Sequence, residues 1–246
     1  MGILYPMMPI NGRRALKARW SRQLLDVLGV RLQFAGTPPA GGFLVANHIS
    51  WLDVYAINAL VPTSFVAKAE VRAWPLIGWL SQNTETIFME RGSRAAAMRA
   101  QTRLADALRR RSAVGVFPEG TTSSGEAVLP FHSALFQPAI DAGTPVLPLS
   151  LRYTGRDGQA SAAPVYIGET SLWQSLLAIA GADGLTVHIE FLPALDPVTD
   201  GMNRRRLALQ AHQHIGSRLA RHRLDGEEPA FAPADAILAC AGAAGN

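Results

Sequence analysis

The sequence predicts an α/β protein, and three observations carry that prediction. From residue 42 onward, short apolar runs alternate with amphipathic stretches, and most apolar runs close in a turn-rich or polar segment. At 246 residues and 48% hydrophobic content, the chain can bury one sizeable core. No stretch reaches the roughly 18 consecutive apolar residues that a bilayer-spanning helix needs. The longest uncharged runs, VYAINALVPTSFVA and TSLWQSLLAIAGA, are interrupted by proline or polar residues. A protein without a transmembrane helix is expected.

The first element is a helix over residues 13–28. Leu16, Trp20, Leu24, Val27 and Leu28 share one stripe, and Gly29 stops it. Its polar side is basic, with Arg13, Arg14, Lys17, Arg19 and Arg22 before the first acid, Asp26. A basic helix with tryptophan on its apolar stripe fits a membrane surface, and it fits a helix packed on the domain equally well. GFLVAN then reads as a buried strand, and SWLDVYAINAL as a helix capped by Ser50. SFVAKAE and ETIFME read as strands. Ser93 opens a helix with Ala97, Ala100, Leu104 and Leu108 on one face. AVGVF is the next buried strand, ALFQPAIDAG a helix, PVLPLSLRY and TVHIEFLPAL strands, and MNRRRLALQAHQHIGSRLARH the last helix. Three regions follow: a basic helical segment over 1–30, the main domain over 31–225, and a loosely ordered tail over 226–246, rich in Pro, Ala and Gly.

The formal charge of +4 points to an anionic partner such as a membrane surface, a phosphorylated substrate or nucleic acid. Only Lys17 and Lys68 are lysines, so nearly all positive charge is arginine. The single cysteine, Cys240, excludes a disulfide framework and a cysteine metal site. The N-terminal MGILYPMMPINGRR places its charges after a short, proline-broken apolar run, the reverse of an export signal.

Three stretches carry candidate chemistry. In NHISWLD, His48 lies where a strand ends and a helix begins, the sheet edge at which ligands bind in α/β folds. Ser50 to Asp53 also fits a capping box, so Asp53 sits in the first turn of that helix. From there its carboxylate can hold one ring nitrogen of His48 and leave the other as a base. In VFPEGTTSSG, Phe117-Pro118-Glu119-Gly120 makes a rigid turn, and Thr121, Thr122, Ser123 and Ser124 supply hydroxyl and N–H groups. In TIFMERGS, Arg91 follows a strand. His132, His188, His212, His214 and His222 read as packed or solvated, as does the basic run Asn203 to Leu207.

In this order, NHISWLD, GWLSQNTETIFMER, VFPEGTTSSG and GTPVLPLSL resemble four blocks of the glycerolipid acyltransferase family, the lysophosphatidic acid acyltransferases and their relatives. The resemblance runs from about Trp20 to Leu151. It implies a mixed β-sheet flanked by helices, with the N-terminal helix on the membrane. It implies that His48 is the general base and Asp53 its orienting partner, and that Arg91, Phe117, Pro118, Glu119, Gly120, Thr121 and Thr122 bind the acceptor and shape its pocket. The implied donor is acyl-CoA or acyl carrier protein, with no cofactor and no metal. The implied acceptor is a membrane lysolipid, at the cytoplasmic face of the cell membrane, and nucleic acid is not an implied partner. Members that act on phosphorylated acceptors often carry an arginine where this chain has Thr122, and Phe-Lys-x-Gly where it has FHSA with His132. These departures resemble the branch acting on lyso-ornithine lipid and leave it nearly level with 1-acylglycerol-3-phosphate. Acyl-chain length would be set by an apolar groove, with SLWQSLLAIAG a candidate lining. A thioesterase, and a non-catalytic module binding nucleic acid or anionic membranes, are the alternatives.

Overall fold

The computed structural model describes residues 8–69, 86–89, 94–199, 201–224 and 229–236. Helix α1 (Ile10–Val27) precedes β1 (Arg31–Ala35) and β2 (Gly42–Ala46), and α2 (Leu52–Leu60) follows β2. Then come β3 (Ser64–Lys68), β4 (Ile87–Met89), α3 (Arg94–Arg109) and β5 (Ala113–Val116). A short 3-10 turn (Ser133–Phe136) leads into α4 (Gln137–Asp141) and β6 (Val146–Thr154). The chain continues through α5 (Leu172–Ala180), β7 (Thr186–Phe191), α6 (Arg204–Leu224) and β8 (Ala232–Pro233).

These strands form one mixed eight-stranded sheet in the order β4-β3-β5-β2-β6-β7-β1-β8. β4, β3, β5, β2 and β6 run parallel, β7 is antiparallel to β6, and β1 runs parallel to β7. The near-continuous apolar runs of β2 and β5 follow from this arrangement, since central parallel strands are buried on both faces. Two apolar clusters fill the two faces. One joins Leu25 of α1, the inner face of α2 and Ile179 of α5; the other joins Leu104 and Leu108 of α3, Ala139 of α4 and Leu207, Ala211 and Ile215 of α6. The apolar face expected for α3 is therefore present at Ala100, Leu104 and Leu108.

Helix α1 packs on α2 in an orientation that the periodicity did not suggest. Its buried side is Lys17, Ala18, Ser21 and Leu25, while Val27 of the expected apolar stripe is 83% exposed and Trp20 36%. Lys17 Nζ donates to Thr63 O at 3.2 Å, in the loop beyond α2, and Arg22 Nε to Ala59 O at 3.0 Å, in the last turn of α2. Carbonyls there have no partner inside their own helix and sit at the negative end of its dipole, so cations are favoured. Arg14 reaches further, to Ser112 Oγ at 3.1 Å. Arg14, Lys17 and Arg22 thus tie the helix to the domain.

Within the expected tail, Ala232–Pro233 pairs antiparallel with β1, and Phe231 packs edge-on against the His188 ring. His188, His212 and His222 are packed, as expected: His188 bonds Thr154 Oγ1, His212 the carbonyl of Val128, and His222 shares Glu190 with Arg218.

Candidate active site

β2 and β5 are parallel neighbours, with Val45 opposite Val116, so the segments that leave their carboxyl ends emerge side by side. One is NHISWLD and the other FPEGTTSSG. Sheet topology alone therefore brings together two motifs separated by about 70 residues, at the place where α/β folds bind ligands.

Asp53 is fully buried at the start of α2. Its Oδ2 lies 2.8 Å from His48 Nδ1 and accepts the N–H groups of Ile49 at 2.7 Å and Ser50 at 3.0 Å. Its Oδ1 accepts the hydroxyl of Tyr153 at 2.6 Å. Half of the expected capping box is realised: the Asp53 carboxylate takes the Ser50 N–H, while Ser50 Oγ accepts from Leu52 N at 3.3 Å instead of from Asp53. An acceptor-only carboxylate facing the ring assigns the proton to His48 Nδ1 and leaves the Nε2 lone pair outward. Nε2 has no hydrogen-bond partner among the described residues, and the His48 side chain is 19% exposed. Buried Tyr153 has its pKa pushed well up, first by burial and then by the adjacent Asp53 charge, so it stays a donor.

The His48 ring is also held by stacking. Phe117 lies parallel to it with centroids 3.9 Å apart, and Phe65 stacks on Phe117 at 5.3 Å. Gly115 makes room for this ladder, because a Cβ there would stand 2.6 Å from the Phe65 ring.

Glu119 is buried, and both its oxygens are committed to the main chain: Oε1 accepts His48 N at 2.7 Å, and Oε2 accepts Leu129 N at 2.9 Å. Burial raises its pKa, and these two bonds partly oppose that rise. Pro118 is buried, and its carbonyl accepts from His132 N at 2.8 Å. Gly120 has a φ of 71°, and a Cβ there would stand 3.0 Å from His132 Cδ2, so exposed His132 lies against the turn. Thr121 is exposed, whereas the Thr122 hydroxyl donates to Tyr166 O. Tyr166 N in turn donates to Ile49 O at 3.1 Å. Arg91 lies outside the described residues.

Four further residues complete the site, and among them the sequence singles out only Ser123. Tyr153 approaches from β6, Phe65 from β3, and Ser123 donates its N–H to His48 O at 2.7 Å. Asn47 pairs with both backbone groups of Leu151, locking the end of β2 to β6. The sequence expectations also lack helix α5, where Ser171 and Gln174 form a complete capping box that Ser-x-x-Gln announces.

Residues 33–152 match the family model described as Acyltransferase. The chain is 38% identical over 204 residues to the lyso-ornithine lipid O-acyltransferase of Pseudomonas aeruginosa, covering 82% of this chain and 78% of that one. It is 40% identical over 179 residues to the 1-acyl-sn-glycerol-3-phosphate acyltransferase of Neisseria meningitidis serogroup B, covering 71% and 69%. The fold matches the crystal structure of the 1-acyl-sn-glycerophosphate acyltransferase PlsC from Thermotoga maritima with a TM-score of 0.66 at 21% identity, covering 86% of this chain and 80% of that one. With its fold, its His-x-x-x-x-Asp and Phe-Pro-Glu-Gly motifs and relatives of this identity and coverage, the chain belongs to the acyltransferase family and is an acyltransferase.

Proposed function

We propose that this enzyme moves a fatty acyl group from a thioester carrier, acyl-CoA or acyl carrier protein, to the free hydroxyl of a membrane lysolipid. One observation carries the reading: His48 Nδ1 is bonded to buried Asp53 and Nε2 is left without a partner. Nε2 takes the proton of the acceptor hydroxyl as its oxygen attacks the thioester carbonyl, and Asp53 stabilises the imidazolium that forms. Collapse of the tetrahedral adduct expels the thiolate, a good leaving group, so neither a covalent acyl-enzyme nor a metal or cofactor is needed. Glu119, Phe117 and Tyr153 act as positioning residues for this pair. Gly120, Thr121 and Thr122, with Arg91, border the acceptor. The reaction runs at the cytoplasmic face of the membrane, with α1 against the lipid through Trp20 and Val27.

Thr122 favours a phosphate-free acceptor such as lyso-ornithine lipid over 1-acylglycerol-3-phosphate. It offers no cation, and its hydroxyl is spent on Tyr166 O. The test is purified protein with labelled acyl-CoA and acyl carrier protein against a panel containing both lysolipids. Product with at least one lysolipid and none in His48→Ala is expected, with a higher kcat/KM for lyso-ornithine lipid. Acyl release indifferent to added lysolipid would establish a thioesterase instead. Strong salt-dependent nucleic-acid binding without turnover would establish a binding module.

A further inference from the structure

Helix α5 is a surface helix with no charged residue in its sequence, LWQSLLAIA. Ser175 and Ile179 are buried against the domain, while Trp173 is 68% and Leu177 55% exposed, one turn apart on the outer face. Ile167, in the loop leading to α5, is 45% exposed. Large apolar side chains clustered on an uncharged helix mark a surface that meets another apolar phase.

Topology says where this surface sits. α5 precedes the amino end of β7, and α1 precedes the amino end of β1. Thr154 at the carboxyl end of β6 pairs with Thr186, and Thr186 with Arg31. The C-terminal ends of α1 and α5 therefore share the sheet edge that carries His48 and Asp53. The main-chain bond from Arg31 N to Leu185 O, at 2.9 Å, links the strands that follow them. Val27 and Leu177 thus lie on one sheet face, at the reacting edge, with exposed Arg19 on α1 and with exposed Arg31, whose guanidinium also donates to Thr186 Oγ1 and Gly184 O, as the nearby cations.

The same segment is bonded to the catalytic loop twice. Tyr166 N donates to Ile49 O, and Trp51 Nε1 donates to Ser175 Oγ at 3.0 Å. Between the segment leading to α5 and α5 itself lies a groove of about 490 Å³ lined by Val165, Glu169, Thr170, Gln174 and Ala178 among others.

We propose that residues 166–177 form a second membrane-contact element, which inserts Ile167, Trp173 and Leu177 into the lipid surface and steadies the His48 loop through Tyr166 and Ser175. The occupant is a bilayer. Trp and Leu on an interfacial helix suit the boundary between headgroups and acyl chains, and this surface flanks the edge where a lipid hydroxyl must reach Nε2. The proposal rests on the reading of the acceptor as a membrane lipid.

The test uses the full chain and vesicles of phosphatidylethanolamine and phosphatidylglycerol, first without substrates. Trp173→Ser/Leu177→Ser should weaken vesicle partitioning by at least about tenfold, because two apolar side chains lose their burial. Its kcat/KM should fall similarly on vesicle-borne lysolipid and change by less than about twofold on a short-chain, monomeric one, since the chemistry is untouched. Ser175→Ala should leave partitioning intact and lower kcat on vesicles about threefold, as expected for loss of one hydrogen bond. Unchanged partitioning of the double variant would overturn the proposal, as would a change in oligomeric state or donor KM in its place. Unchanged kcat in Ser175→Ala would overturn the link to the catalytic loop. Since partitioning is read without turnover, loss of the acyltransfer reading and loss of this one are separate results.

Discussion

Glu119 Oε1 accepts the backbone N–H of His48 at 2.7 Å, so the carboxylate that follows β5 holds the main chain of the residue that follows β2. With Asp53 fixing the ring and Glu119 fixing the backbone, His48 is constrained from two strands. Catalytic groups must be held to within a fraction of an ångström, and this double constraint supplies that precision.

Asp53→Asn tests the charge separately from the geometry. An amide oxygen at the Oδ2 position still accepts the Ile49 and Ser50 N–H groups, and Tyr153 can turn to accept from the new amide nitrogen. The imidazolium loses its counter-charge. A fall in kcat of about 10²- to 10⁴-fold with little change in KM is expected, measured by release of free thiol from acyl-CoA.

Glu119→Gln replaces one of the two acceptor oxygens with an N–H₂ group facing a backbone N–H. Loss of about 1–3 kcal/mol is expected from chemical denaturation, with a lower kcat from a displaced His48. The pH dependence gives a second readout. Because burial raises the Glu119 pKa in the folded protein, its contribution to stability is present below the ordinary glutamate range and is lost as pH rises through the raised value. Thermal melts across mildly acidic pH should show that slope in the wild type and not in Glu119→Gln.

Tyr153→Phe leaves Asp53 Oδ1 buried without its donor. The expected cost is about 1–3 kcal/mol of stability, together with a reduced kcat. If Tyr153 only filled space, phenylalanine would be neutral in both measurements.

Gly125→Ala tests the interlock between the loops. Gly125 has a φ of 79°, and a Cβ there would stand 2.8 Å from Ile49 Cδ1. The substitution strains the backbone by about 1–2 kcal/mol and pushes on the residue next to His48. Lower stability and lower kcat with donor KM unchanged are expected.

Lys17→Met separates anchoring from catalysis. The buried ammonium bonds the carbonyl of Thr63 beyond α2. Loss of about 1–3 kcal/mol is expected from an unsatisfied buried carbonyl, with kcat on a soluble acceptor unchanged.

Most elements were legible because their signals are local. Strand runs such as AVGV and VLPLSLRYT declare burial by composition, and the face of α3 is a 3.6-residue period. NHISWLD and FPEGTTSSG were legible as sites because both leave strands for loops. Helix α5 is hard to read from the sequence because LWQSLLAIA has no charged side to mark its solvent face, although Ser171 and Gln174 give its cap. The outward face of α1 departs from its periodicity for a related reason: periodicity assumes that charge faces water, and here Lys17 and Arg22 find backbone carbonyls in and just beyond the end of α2 instead.

The sequence by itself determined that this is an α/β chain with His48 and Asp53 five residues apart at a strand end, and that Phe-Pro-Glu-Gly follows another strand. Only the tertiary structure decided that β2 and β5 are neighbours, that Glu119 belongs to His48, that Tyr153 completes Asp53, and that α5 turns Trp173 outward beside the same edge. The physical reason is that capping and helical period act over a few residues. Strand order, and the satisfaction of buried carboxylates by donors about 70 to 100 positions away, are set when the whole sheet closes.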